Sequence, residues 1–247
     1  MLKARIKNVG EWKAVLNAIG DMVEEAMFIV NEDGITFRGM DPSHVALLDV
    51  TFPKSSFEEL DTKTSFFGLR VEEFKTVMNT ASNEDTVELQ ITNEGLLHVS
   101  VKGSLLMEYN IRLLEKREVN TPIPKVEYKA KLSLEPDTLS RILTNIEKMS
   151  QYVTINCNSN QVEFLGKGEV GDAKINLVRG NSDLKEIIST EDSSAAYSLE
   201  YMAKIIRDIG RASKTVNMEY SNQHPIHILF EMPSMARVEY YLAPRVE

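Results

Sequence analysis

The chain predicts an α+β protein made of two similar domains. Three observations carry this: an apolar helix stripe that occurs four times, a pair of β-type runs after each stripe, and two alike endings that start 131 residues apart. Apolar residues fall at i, i+3, i+4 and i+7 in Trp12, Val15, Leu16, Ile19, then in Phe74, Val77, Met78, Ala81. The spacing returns in Leu139, Ile142, Leu143, Ile146 and in Met202, Ile205, Ile206, Ile209. Each set paints one face of a helix. The anchors are 62, 65 and 63 residues apart, which marks an internal repeat of four units, or two domains of two.

The elements after each helix follow one plan. AMFIV and ITFRG flank the turn NEDG, TVELQIT and LLHVSV flank NEG, YVTINC and VEFLG flank NSNQ, and TVNMEYS and IHILFE flank NQHP. Alternation and β-branched content make these runs strands, and the Asn, Asp, Gly and Pro clusters between them make hairpin turns. EYNIRLLE at 108–115 closes the first half and EYYLAPRVE at 239–247 the second. The intervening stretch loses helical period after Leu114 and carries Pro122 and Pro124, which suits an extended connector. The expected division is a domain at 1–115, a connector at 116–128 and a domain at 129–247.

With 247 residues, 43% hydrophobic and 26% charged, the composition is that of an ordinary globular protein. No apolar run approaches the roughly 18 residues of a membrane span. The opening MLKARIKNVG lacks a signal-peptide core, so an intracellular protein is expected. Cys157, the single cysteine, reads as a small buried hydrophobe in a strand. A net charge of −9 argues against a generally basic nucleic-acid surface, so the placement of the basic residues decides.

Beside each apolar stripe, the positions one, two and five after the anchor lie on the polar face. They are Lys13, Ala14, Asn17, Lys75, Thr76, Asn79, Ser140, Arg141, Thr144, Ala203, Lys204 and Arg207, with five basic residues and no acid. Lys148 continues the third helix, and Arg211 and Lys214 continue the fourth, at helical steps. Such faces favour phosphates without reading sequence. An acidic chain with few such contacts would hold DNA by enclosing it.

Catalytic motifs do not survive inspection. Gly166 to Gly171 matches G-x-G-x-x-G, yet DAKINLV after it alternates like a strand where a dinucleotide site needs a helix. His44, His98, His224 and His227 show no metal-site spacing. An enzyme using the glycine motif is the rival reading from another class; no metal or cofactor is expected.

The segments GMDPSHVALLDV (39–50), SNEDTVELQ (82–90), GEVGD (168–172), TPIPKVEY (121–128) and YYLAPRVE (240–247) resemble the DNA sliding clamps of the proliferating cell nuclear antigen (PCNA) type, and the likeness runs end to end. The resemblance implies a ring of three two-domain subunits, with helices lining the hole and antiparallel sheets outside, that encircles duplex DNA and confers processivity on a DNA polymerase. It implies no catalysis. By resemblance the subunit edges are the strand with Tyr109, Ile111 and Leu113 and the strand with Lys174, Ile175, Leu177 and Arg179. Implied partners are the clamp loader, flap endonuclease and DNA ligase besides the polymerase, held through short PIP-type peptides. The implied peptide pocket is Met40, His44, Val45, Leu47, Ile123, Pro124, Pro225, Tyr241, Ala243 and Pro244. Among basic positions Lys13 and Arg207 match the family's inner surface; Lys75, Arg141, Lys148, Lys204, Arg211 and Lys214 rest on helix geometry. Gly20, Thr76, Asn79 and Thr144 stand uncharged where relatives are basic, and Thr121 and Pro122 depart from the family's connector. The alternative assembly is one subunit of a heterotrimeric clamp. The expected location is an archaeal cytoplasm beside the nucleoid, or the nucleus in a eukaryote.

Overall fold

The computed structural model describes residues 1–63, 66–91, 95–117 and 121–246. Thr92 to Glu94 of the second hairpin, 118–120 of the connector and Glu247 of the tail lie outside the described residues.

The chain divides into two compact units, one of Met1–His44, Leu48–Thr121 and Met232–Val238, the other of Val45–Leu47, Pro122–Glu231 and Glu239–Glu247. In chain order the elements are β1 (Leu2–Ile6), α1 (Val9–Gly20), β2 (Glu25–Asn31), β3 (Gly34–Met40), β4 (Ala46–Pro53), β5 (Phe57–Thr62), β6 (Phe66–Arg70), α2 (Val71–Asn79), β7 (Thr86–Ile91), β8 (Leu96–Lys102) and β9 (Leu106–Arg112). They continue with β10 (Ala130–Leu134), α3 (Pro136–Glu147), β11 (Tyr152–Cys157), β12 (Gln161–Gly168), β13 (Gly171–Val178), β14 (Leu184–Ser189), β15 (Ser193–Ser198), α4 (Leu199–Ile209), β16 (Thr215–Tyr220), β17 (Ile226–Glu231) and β18 (Arg237–Leu242).

All four expected helices form, and each is followed by its antiparallel hairpin: β2 with β3, β7 with β8, β11 with β12 and β16 with β17. The repeat extends to topology. Strands β5-β1-β7-β8-β9 make one sheet of the first unit, matched by β14-β10-β16-β17-β18 in the second; the run β4-β3-β2-β6 is matched by β13-β12-β11-β15. Even an irregularity repeats. The β1–β5 ladder shifts register between Arg5 and Ile6, and the β10–β14 ladder between Ser133 and Leu134. Such bulges add twist to a strand.

Besides β4, β5 and β14, which the repeat reading also left out, four short strands went unforeseen: β1, β6, β10 and β15 each lead directly or nearly so into a helix. At five or six residues they are too short for a clear alternation signal, and α2, α3 and α4 begin without a side-chain cap. Only α1 carries one, where the Asn8 side chain accepts from the Glu11 N–H at 3.2 Å. In α3, Pro136 occupies the first turn, where its missing N–H costs nothing.

Each unit has its own core under its helices. In the first, Trp12 of α1 stacks on Phe52 at 4.1 Å and meets Phe57 and Phe74 edge-on at 6.1 and 6.3 Å. Burying each large side chain contributes about 1.5–3 kcal/mol. In the second, Tyr197 and Tyr220 meet edge-on at 6.4 Å. Their hydroxyls donate to the carbonyls of His224 at 3.0 Å and Ile155 at 3.2 Å, so no buried hydroxyl of that pair is wasted.

Candidate functional site

The basic residues on the helices behave differently in the two units. Lys13 is half-buried and its ammonium donates to the Ala81 carbonyl beyond the end of α2. Lys75 is half-buried and pairs with Glu72 one turn earlier at 3.0 Å. Both amines of the first unit therefore have partners at home. In the second unit, α3 and α4 pack side by side and bring Arg141, Lys148, Arg207 and Arg211 to one groove of about 350 Å³. Asp137 is the one acid on its lining, beside Ser140, Thr144 and Asn145. Arg141 is held only loosely, 3.5 Å from Asp183 with its side chain 72% exposed, and Lys148 donates to Asn145 Oδ1 at 3.0 Å. Lys204 is exposed on α4 and is not part of that lining.

Lys214 departs from the expected helical face. The α-helix stops at Ile209, a 3-10 turn spans Gly210–Ala212 and Ser213 is extended. The Lys214 N–H then donates to Glu231 at 2.8 Å, joining the β16–β17 ladder, because a helical step count does not see where the helix unwinds.

The two strands read as subunit edges stand at the ends of their sheets, β9 beyond β8 and β13 beyond β12. The direction of their N–H groups follows from the ladders. Leu113 donates to Gly95 at 3.0 Å and Arg179 to Asn160 at 2.7 Å. Hydrogen-bonded pairs recur every second residue in an antiparallel ladder, so Tyr109, Ile111, Ile175 and Leu177 bond inward. The N–H groups of Glu108, Asn110 and Arg112, and of Asp172, Lys174 and Asn176, point off the open edges. A long open edge is a pairing template unless something covers it. On β13, Lys174 pairs with Glu163; that ammonium, and the Asn156 amide after it, hold the Glu163 carboxyl below the usual range. Arg179 lies one residue past β13, and its guanidinium donates to the carbonyls of Ser159 (2.9 and 2.6 Å) and Ile187 (3.0 Å). It serves to brace its own unit.

Of the residues assigned to a peptide pocket, Val45, Leu47, Ile123, Pro124, Pro225, Tyr241, Ala243 and Pro244 fall in the second unit and Met40 and His44 in the first. Asp41 shapes the DPSH turn: its carboxylate accepts from the Ser43 N–H at 3.1 Å and its carbonyl from His44 at 3.0 Å. His44 sits at φ 58° and is exposed. In the second unit the Ala243 N–H donates to the Val45 carbonyl at 2.9 Å and the Arg245 N–H to Ala196 at 2.7 Å, pinning the tail on both sides of Pro244. Ile123, Pro124, Pro225, Ala243 and Pro244 are half-exposed, whereas Tyr241 is 7% exposed and Leu47 only 2%. Leu47 is thus core, and an Asp there would bury a charge before it touched any ligand. Two tail contacts escaped the sequence reading. The Arg245 guanidinium lies 3.9 Å over the Tyr152 ring, and Tyr241 stacks on His227 at 4.6 Å. Neither pair has a spacing signal: one joins the tail to β11, and the other depends on the pairing of β17 with β18.

The glycine motif is a hairpin. Gly166 and Gly168 end β12 and Gly171 opens β13. A Cβ on Gly168 would fall 1.6 Å from the Met149 carbonyl, and one on Gly166 would fall 2.3 Å from Ile146 Cγ2. These glycines let the hairpin pass close to the end of α3, which accounts for their spacing without a phosphate. Among the described residues no group of three or more His, Cys, Asp or Glu is placed to hold a metal ion, and no helix is long and apolar enough to cross a membrane.

Two repeated sheet-and-helix units, a basic groove between helices and two open strand edges define a two-domain clamp architecture. Residues 1–107 match the family "Proliferating cell nuclear antigen, N-terminal domain" and 122–245 its C-terminal domain. A DNA polymerase sliding clamp of Nitrosopumilus maritimus is 36% identical over 245 residues, covering 99% of this chain and 98% of that one. One of Cenarchaeum symbiosum is 36% identical over 244 residues, covering 98% of each. The PCNA crystal structure from Thermococcus kodakaraensis superposes with a TM-score of 0.94 at 20% identity, over 99% of this chain and all of that one. The chain belongs to the PCNA family of DNA sliding clamps.

Proposed function

We propose that three copies of this chain close into a ring around duplex DNA, slide on it without reading sequence, and tether a DNA polymerase and other replication and repair proteins by short peptides. The observation that carries the reading is the gathering of Arg141, Lys148, Arg207 and Arg211 at one groove of a chain whose net charge is −9. Positive charge gathered in one groove beside a single acid contacts phosphates, while the net acidic remainder repels DNA. Ring closure supplies the retention that a few phosphate contacts cannot. Tethering then raises the local concentration of each partner without chemistry, so the chain acts as a scaffold and not as an enzyme.

The open edges of β9 and β13 support head-to-tail pairing, a heterologous contact that is safe where its rotation closes. The second-unit surface formed by Ile123, Pro124, Pro225, Ala243 and Pro244, backed by the buried Tyr241, supports capture of PIP-type peptides, whose aromatic residues supply most of the energy of such small contacts. A clamp loader, flap endonuclease and DNA ligase are the partners proposed beside the polymerase. The proposed location is the cytoplasm, beside the nucleoid.

The test is light scattering followed by a processivity assay on primed circular DNA. The chain alone is expected at three times 27.9 kDa, with polymerase products lengthened in its presence. Arg141→Glu with Arg207→Glu keeps the mass and loses the lengthening. A monomeric chain at micromolar concentration overturns the homotrimer in favour of a heterotrimer subunit. Unchanged processivity of the double variant across a salt series overturns the groove as DNA surface.

A further inference from the structure

A second cluster lies on the second unit, where Glu219 of β16 faces His227 of β17 in register and Glu239 and Tyr241 follow on β18. The His227 side chain is only 13% exposed, and both its nitrogens are engaged. Nδ1 lies 3.2 Å from Glu219 Oε2 and Nε2 lies 3.0 Å from Glu239 Oε2. The same Glu239 oxygen accepts from the Tyr241 hydroxyl at 3.1 Å. The imidazole also stacks on the Tyr241 ring, 4.6 Å away and inclined by 14°, and faces Tyr128 of the connector at 6.1 Å and 23°.

The arrangement fixes Tyr241 twice. Its ring is held by the stack, and its hydroxyl by a carboxylate that His227 itself orients. Lys131, 3.8 Å from the other oxygen of Glu219, steadies the far side. Tyr128 ends the connector stretch that supplies Ile123 and Pro124, so the imidazole stands between the two walls of the proposed peptide surface. Burial, with the Glu219 charge second, pushes the Tyr128 hydroxyl up to about 12, so this wall stays neutral at physiological pH. A valine at 227 would fit a strand equally well, but it would leave the Glu219 and Glu239 carboxylates without the ring that bridges them.

We propose that His227 is a positioning residue for partner-peptide recognition, setting the orientation of Tyr241 through a shared carboxylate and a ring stack. The inference rests on the reading of Tyr241 as part of the peptide surface. His227 touches no peptide itself; its effect passes through Tyr241.

The test measures, by calorimetry on the intact oligomer, the affinity of a synthetic peptide with a glutamine, a spaced aliphatic residue and paired aromatics. His227→Val is expected to weaken binding about tenfold, the size of one lost hydrogen bond with one lost stack. His227→Phe, which keeps the stack, and His227→Gln, which keeps a donor, each recover part of it. The diagnostic is a double-mutant cycle with Tyr241→Phe, because coupled residues lose less together than the product of their separate losses. Should His227→Val prove poorly folded, the Phe and Gln variants carry the same cycle. Parent-like affinity in His227→Val or Phe, or independent effects of the two positions, overturns the proposal while leaving the peptide surface intact. Ile123→Asp is the control: if it also binds as the parent does, the surface itself is misplaced and the proposal falls with it.

Discussion

The guanidinium of Arg245 lies 3.9 Å above the ring of Tyr152, and this contact fastens the C-terminal tail to β11. The backbone bonds from Ala243 to Val45 and from Arg245 to Ala196 hold the same stretch, so the cation and the ring complete a three-point anchor around Pro244. A cation over a ring at an exposed site contributes about 0.5–1 kcal/mol. Arg245→Ala is therefore expected to lower unfolding stability by no more than about 1 kcal/mol while weakening peptide binding several-fold, because the tail it frees carries Ala243 and Pro244. Arg245→Lys keeps much of the effect. Denaturant titration beside calorimetry checks both, and unchanged peptide affinity in the alanine variant would remove the tail from the binding surface.

Glu11 should matter to the first unit out of proportion to its place on α1. It is 2% exposed, and its carboxylate accepts from the Asn8 amide at 2.9 Å, from the Ser234 N–H at 3.0 Å and from the Ser234 hydroxyl. Ser56 Oγ completes the knot by donating to the Ser234 carbonyl at 2.9 Å. Glu11→Ala leaves those donors buried without an acceptor, at a cost of about 2–3 kcal/mol. Glu11→Gln should cost less, since one oxygen remains. Urea unfolding measures both; equal stability of parent and alanine variant would show that water replaces the carboxylate freely.

The strand edges make a directional prediction. Asn110→Pro or Asn176→Pro removes a donor that points off the sheet, and should dissociate the proposed trimer with little change in the fold of each unit. Ile111→Pro and Ile175→Pro remove donors that point inward and are expected to damage the parent sheet first. Light scattering with circular dichroism separates the pairs. A trimer that survives Asn110→Pro and Asn176→Pro at nanomolar concentration would mean that these edges do not carry the contact.

Cys157 is buried, and burial pushes its thiol up to about 11, against a smaller opposing hydrogen bond from Ser189. Because the thiolate is the reactive form, a disulfide reagent near pH 8 should label the folded protein on the order of 100-fold more slowly than the urea-unfolded chain. Similar rates in the two states would place the sulfur at an accessible surface.

The four helix stripes and the four hairpins were legible in the sequence because local periodicity encodes them directly: Trp12, Phe74, Leu139 and Met202 each head a face that is buried. The likeness of the two halves was legible for the same reason, and so was the failure of the glycine motif, betrayed by the alternation after Gly171. What the linear pattern does not contain is pairing between distant strands and the path of the chain between elements. Lys214 matched a helical step, yet the helix had already unwound at Gly210. Leu47 belonged to a segment matched to a peptide pocket, yet its strand turns it into the core. The free and engaged N–H groups of β9 and β13 alternate at a period of two, as the side chains do, but only the Leu113–Gly95 and Arg179–Asn160 bonds decide which set faces out. His227 shows the limit most plainly. Its partners Glu219, Glu239, Tyr241 and Tyr128 come from the two flanking strands β16 and β18 and from the connector, so only the tertiary fold brings them within hydrogen-bonding and stacking distance.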